Sequence, residues 1–236
     1  MLVYGKNVSE RILKDENLSK FVKTIYTDEV FLKKNGDLFS EFLKSKIKIK
    51  RNHELDNLAK GVHQGIIIDM EDYQYTPFSK FLTKDGDNKT VLILDHILDP
   101  HNFGAIIRTA VAASVDAIII PSDRQVIVNS TVVKTSVGAV FDIDIILVNN
   151  INTAIKTLKD NGFWVYGTVM DGEDYTKVDY SGNVCLIIGN EEKGISKLVK
   201  ENCDFLVSIP ISSKIDSLNA SVAAGILIYE IVRNRK

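Results

Sequence analysis

Three stretches of the chain set polar and charged side chains directly behind apolar runs. The first runs from Asp95 to Ala110 and holds Asn102 and Arg108. Asn102 suits a helix N-cap. Arg108 stands among Ile106, Ile107, Ala110 and Val111, where an arginine either snorkels or engages an anion. In the second, Leu186-Ile187-Ile188 leads into Gly189, then Glu191 and Glu192, then Gly194 ahead of a helix. Glycines so placed let backbone approach a ligand closely, or simply make a tight turn. The third runs from Ile209 to Gly225. Ser217 or Asn219 suits its helix cap, and Ala220, Ser221, Ala223, Ala224 and Gly225 open the helix. Such small side chains permit a close crossing with another segment, or a ligand at the helix start.

Familiar chemistries lack their parts. No phosphate-binding GxxxxGK[ST] occurs and no GxGxxG follows a strand, which disfavours a nucleotide-dependent dehydrogenase. HExxH, CxxC and GxSxG are absent too. The four histidines are scattered, so no metal is expected.

The elements that must position these stretches divide near residue 80. Ahead of it, strands are expected at 2–4, 21–26, 44–51 and 65–70, with helices at 7–14, 28–34, 37–43 and 54–59. Beyond it, apolar strands at 90–95, 117–120, 142–148, 163–169, 184–189 and 205–209 alternate with helices at 102–114, 130–138, 151–161, 195–201 and 219–234. One further junction, between 163–169 and 184–189, lacks a helix. Alternation of this kind implies an α/β fold with a parallel sheet covered on both faces, binding ligands at the carboxyl ends of its strands. The expected division is a domain at 1–75, a linker at 76–88 and a domain at 89–236.

The chain has 236 residues, 45% of them apolar types and 25% charged. That composition excludes a disordered chain or a minimal disulfide scaffold. No apolar run nears the ~18 residues of a membrane span, and the N-terminus lacks signal-peptide character. With two cysteines, Cys185 and Cys203, the expectation is a soluble, cytoplasmic protein without disulfides. Net charge is −2, but residues 1–80 hold 14 Lys/Arg against 12 Asp/Glu, and 81–236 hold 15 against 19. Five bases without an acid fall in Lys44–Arg51. On a strand, Lys46, Lys48 and Lys50 face one way and Ile47 and Ile49 the other. This row either guards a sheet edge or meets a phosphate backbone.

In this order and spacing, NFGAIIRTA (102–110), IIGNEEKGIS (187–196) and IPISSKIDSLNASVAAGILIYE (209–230) resemble the three motifs of the SpoU/TrmH RNA ribose 2′-O-methyltransferases of the SPOUT class. VYGKNVSERIL near the start and GVHQGIIIDM (61–70) resemble the L30e-like RNA-binding domain of the subfamily that modifies a guanosine of 23S rRNA.

The resemblance implies methyl transfer from S-adenosylmethionine to a ribose 2′-hydroxyl, with no metal. It also implies a trefoil knot in the C-terminal domain and a homodimer formed through that domain. Ile107, Val111, Ile228 and Tyr229 are candidates for the dimer contact. By the same resemblance Gly189, Ile209, Leu218, Thr168 and Asn219 bind the cofactor. Arg108, Asn102, Glu191, Ser217 and Asn219 surround the reaction, with Arg108 either the base or a cation that stabilises the alkoxide. Lys46, Lys48, Lys50, Arg51, His63 and Gln64 are the RNA-binding candidates. A tRNA guanosine or another rRNA ribose is the alternative target. A catalytically silent RNA-binding or ribosome-assembly protein is the alternative role.

Overall fold

A computed structural model describes residues 1–59, 61–190 and 192–235. The chain forms two compact units, Met1–Gln74 with Val128–Gly138, and Tyr75–Ile127 with Ala139–Lys236.

The first unit runs β1 (Leu2–Tyr4), α1 (Lys6–Lys14), α2 (Glu16–Ser19), β2 (Val22–Thr27), α3 (Glu29–Lys34), α4 (Glu41–Lys44), β3 (Ile47–Ile49), α5 (Asn52–Leu58) and β4 (Ile66–Met70). Its four strands order as β1-β4-β2-β3, antiparallel except for the β2–β3 pair. The basic strand is therefore an edge, and it is shorter than expected. Ile49 is 57% exposed, so the apolar underside expected beneath the lysines is incomplete. The segment 128–138, which the sequence pattern places within 89–236, belongs spatially to this unit.

The second unit holds α6 (Phe78–Leu82), β5 (Thr90–Asp95), α7 (Pro100–Ala112), β6 (Ala117–Pro121), β7 (Asp144–Val148), α9 (Ile151–Asp160), β8 (Phe163–Asp174), β9 (Asn183–Gly189), α10 (Lys197–Asn202), β10 (Phe205–Ser208) and α11 (Ala220–Asn234); α8 (Ser130–Thr135) is the helix of the excursion into the first. Its six strands are all parallel, ordered β10-β8-β9-β5-β6-β7. The central strands are buried on both faces, which is why they read as unbroken apolar runs. Val91, Ile119, Val165 and Ile187 face a core shared with Ile155 and Leu158 of α9 and Val199 of α10. α11 packs on α7 and β9. Ile107 and Ile228, expected at a dimer contact, are buried within the protomer, whereas Val222 and Tyr229 of α11 are exposed.

Two departures matter for the site. α7 starts at Pro100, and Asp99, not Asn102, caps it by accepting from the His101 amide at 2.9 Å. β8 continues past Val169 to Asp174, but its pairing with β10 slips. Leu206 lies opposite Gly167 and Val207 opposite Glu173, so the residues between leave the ladder. The strand returns at Gly172, where a Cβ would lie 2.7 Å from the carbonyl oxygen of Leu206.

Candidate active site

Asp95 ends β5, 1% exposed and opposite Gly189 of β9. One of its oxygens lies 2.5 Å from His96 Nδ1, and the other accepts the Ser196 amide at 2.8 Å. The chain beyond Gly189 folds back on itself. Asn190 and Gly194 exchange backbone hydrogen bonds of 3.1 and 2.8 Å, and Asn190 Oδ1 accepts the amides of Glu192 and Lys193. Asn190 Nδ2 donates to the His96 carbonyl at 3.0 Å, which ties this turn to the end of β5. A Cβ on Gly189 would lie 2.2 Å from the Gly194 carbonyl carbon and 2.3 Å from the Ile195 nitrogen. Glycine is required there by close approach of the chain to itself.

The third stretch is fastened to the first. Asn219 caps α11 by accepting the Ser221 and Val222 amides, and its Nδ2 donates to Asn102 Oδ1 at 2.9 Å. This bond spans 117 residues of sequence. Arg108 lies two turns further along α7, exposed, between the buried Ile107 and the half-buried Thr109. It has no ion-pair partner among the described residues.

A cavity of about 440 Å³ opens at the carboxyl end of β9, beside the middle of β8. The β8 excursion forms one wall with Thr168, and Gly189 and the following turn form another. Ile209, Ser217 and Leu218 close a third side, and Ala220 and Ala223 set the start of α11 against it. Of the sequence-predicted cofactor residues, Thr168, Gly189, Ile209 and Leu218 thus share one cavity, joined by Ser217. Asn219, Asn102 and Arg108 are not among its lining residues. Glu191 lies outside the described residues. Asp95, His96 and Asn190 went unassigned in the sequence, although an aspartate closing a buried apolar strand was a visible signal.

Burial pushes the Cys203 thiol up to about 12 and raises Cys185 well above its ordinary value. Among the described residues no cluster of His, Cys, Asp and Glu could hold a metal.

In the first unit the RNA-binding candidates are largely occupied. Lys46 Nζ donates to the Val22 carbonyl and sits 3.9 Å from the centre of the Phe42 ring. Lys50 pairs with Glu54 at 3.0 Å. The Arg51 amide, and next the Lys50 ammonium, hold the Glu54 carboxyl below its ordinary value. Lys48 is exposed. His63 is buried, with Nε2 3.1 Å from Asp56 and Nδ1 accepting the Gly65 amide, so it builds its loop and is not presented to a ligand. Gln64, at φ 55°, accepts the Lys6 amide at the start of α1.

Residues 89–229 match the SpoU rRNA Methylase family. The chain belongs to this family. Residues 2–76 of this SpoU protein match the family described as RNA 2′-O ribose methyltransferase substrate binding. It is therefore a SpoU/TrmH RNA 2′-O-methyltransferase with an N-terminal substrate-binding domain. A protein named as a TrmH family tRNA/rRNA methyltransferase, from Staphylococcus saprophyticus, is 43% identical over 186 residues, covering 77% of this chain and 75% of that protein. Another of the same name, from Staphylococcus epidermidis, is 37% identical over 100% of this chain and 96% of its own. The structure of the SpoU methyltransferase AviRb from Streptomyces viridochromogenes, in complex with AdoMet, superposes with a TM-score of 0.79 at 22% identity, covering 100% of this chain and 90% of that one. No described helix is long and apolar enough to cross a membrane.

Proposed function

We propose that this SpoU protein transfers a methyl group from S-adenosylmethionine to the ribose 2′-hydroxyl of a guanosine in 23S rRNA. One observation carries the reading. Leu218 and Ala220 line the cavity, and Asn219 between them holds the Asn102 side chain of the helix that carries Arg108. A cofactor in the cavity and a hydroxyl beside Arg108 are thereby brought to a common border.

The residues present suit this cofactor. The volume lies in the range of small-molecule sites, and Ile209 and Leu218 offer apolar walls for an adenine. Backbone groups at Gly189 and Asn190 supply polar contacts where the turn closes. When bound, the cofactor supplies an electrophilic methyl group already activated by its sulfonium. The chain has to hold the hydroxyl in line and favour its ionised form. The Arg108 guanidinium stabilises the developing alkoxide and grips an adjacent phosphate. Ser217 offers a hydroxyl at the border of cavity and substrate, and Asn102 and Asn219 fix that border.

The substrate-binding domain selects the RNA, with Lys48 and Arg51 as its remaining cationic contacts from the basic edge. The trefoil threading of the C-terminal domain and a homodimer belong to the same proposal. With Ile107 and Ile228 buried, Tyr229 and Val222 become the contact candidates on α11.

The test has two parts. Calorimetry with S-adenosylmethionine reports the cavity, and a silent RNA-binding protein would show no binding. Mass-spectrometric mapping of ribose methylation in purified rRNA and tRNA, with and without the protein, reports the target. Modification confined to tRNA overturns the rRNA assignment.

A further inference from the structure

The proposed cofactor carries a zwitterionic amino acid on one arm of its sulfonium, and the residues placed so far do not receive it. We infer that the ion pair of Asp171 and Lys200 on the cavity wall binds that end, Asp171 taking the α-ammonium and Lys200 the α-carboxylate; this rests on the methyltransferase reading above.

The backbone presents the pair. Asp171 stands on the part of β8 that leaves the ladder with β10, between Gly167 and Glu173. The excursion is pinned where it returns. Ser208 Oγ donates to the Gly172 carbonyl at 2.8 Å, and Gly172 lies too close to the backbone of Leu206 and Val207 to admit a Cβ. Lys200 is carried by α10, which the buried Val199 seats in the core. Lys200 Nζ meets Asp171 Oδ1 at 3.3 Å, and both residues line the cavity.

The charges point to a ligand. The two side chains are 80% and 40% exposed, and an ion pair so open to water adds little to stability. Glu192, Lys193 and Asp216 also line the cavity, and none of them forms an ion pair with a described residue. Among the described lining residues, Asp171 and Lys200 thus offer both signs in contact. An α-amino acid bears its ammonium and carboxylate on one carbon. Opposite charges in contact match it, each ligand charge meeting its counterpart, and no net charge is left over.

The cofactor's own shape agrees. A sulfonium has three substituents. The adenosyl arm takes the apolar Ile209 and Leu218 and the backbone of the Gly189 turn. The methyl has to face the border where Ser217 and Asn219 stand. The wall left for the third arm is that of the β8 excursion and α10, where Val169 and Met170 add apolar contact for its methylene carbons.

The test is calorimetric titration of the full chain with S-adenosylhomocysteine and with 5′-methylthioadenosine. Both are uncharged thioethers on the same adenosyl arm, and only the first carries the amino acid. The wild type is expected to bind S-adenosylhomocysteine at least about tenfold tighter, a preference that shrinks as salt rises because the pair is open to screening. Asp171→Asn and Lys200→Gln are each expected to weaken S-adenosylhomocysteine about five- to tenfold and to leave 5′-methylthioadenosine within about twofold. Lys197→Gln removes a charge from the same helix away from the cavity, and it is expected to change neither affinity. The proposal is overturned if the wild type shows no preference, if Asp171→Asn and Lys200→Gln bind S-adenosylhomocysteine as the wild type does, or if they weaken both ligands equally, as loss of a contact to the adenosyl arm would. A wild-type chain that binds neither these ligands nor S-adenosylmethionine overturns the cofactor reading itself.

Discussion

Gly189→Ala is the sharpest perturbation of the cavity wall. The added methyl would lie 2.2 and 2.3 Å from backbone atoms of Gly194 and Ile195, with nothing flexible to yield. Ordinary carbon contact needs about 3.5 Å, so the 190–194 turn must retreat by roughly 1 Å. The retreat strains the two Asn190–Gly194 hydrogen bonds and the Asn190–His96 tie. Overpacking of this kind costs about 1–3 kcal/mol. For a chain of this size that lowers Tm by roughly 2–4 °C per kcal/mol. The turn also walls the cavity, so S-adenosylmethionine affinity should fall at least about tenfold, or 1.4 kcal/mol. Calorimetric titration and thermal unfolding read the two effects. Gly36→Ala is the control, because a Cβ there meets nothing within 4 Å. Affinity and Tm both unchanged in Gly189→Ala would refute the reasoning and remove this turn from the binding wall.

Arg108→Ala should abolish methyl transfer yet leave cofactor affinity within about threefold, since Arg108 lies off the cavity; turnover near the wild-type rate refutes its role. Asn219→Asp retains the oxygen that caps α11 but loses the donor to Asn102, so Tm should hold while kcat falls, whereas Asn219→Ala should also cost about 1 kcal/mol of stability. Lys48→Glu should weaken RNA binding and flatten its dependence on salt by about 0.7–0.9 in log–log slope, measured by filter binding. Arg233, and to a lesser degree Asn234, hold the Glu230 carboxyl below its ordinary value by hydrogen bonding. That stabilisation is present above the ordinary glutamate range and is lost as pH falls through the lowered value. The Tm gap between wild type and Arg233→Ala should therefore be widest near neutral pH and close in acid.

The central strands of the second unit were legible because they are buried on both faces, so Val91 to Leu94 and Ile118 to Ile120 needed no periodicity to be recognised. What sequence could not carry was pairing at a distance. Asn102 has a capping side chain, but Asp99 followed by Pro100 satisfies the helix first and releases Asn102 to meet Asn219. The lysine alternation was visible, whereas Glu54 and the Val22 carbonyl, which occupy Lys50 and Lys46, are supplied by the fold. The cavity hides for the same reason. Phe163 to Val169 reads as one apolar strand, and only its slipped pairing with β10 pushes Thr168 outward to make a wall. Asp95 and His96 are neighbours in the chain, yet their clamp depends on Ser196 and Asn190, contributed by the turn beyond β9. The chemistry-bearing residue types therefore stand in local motifs, while their orientation is decided by contacts about a hundred residues away. Substitutions in the 190–196 turn should accordingly disturb cofactor affinity and the placement of His96 together.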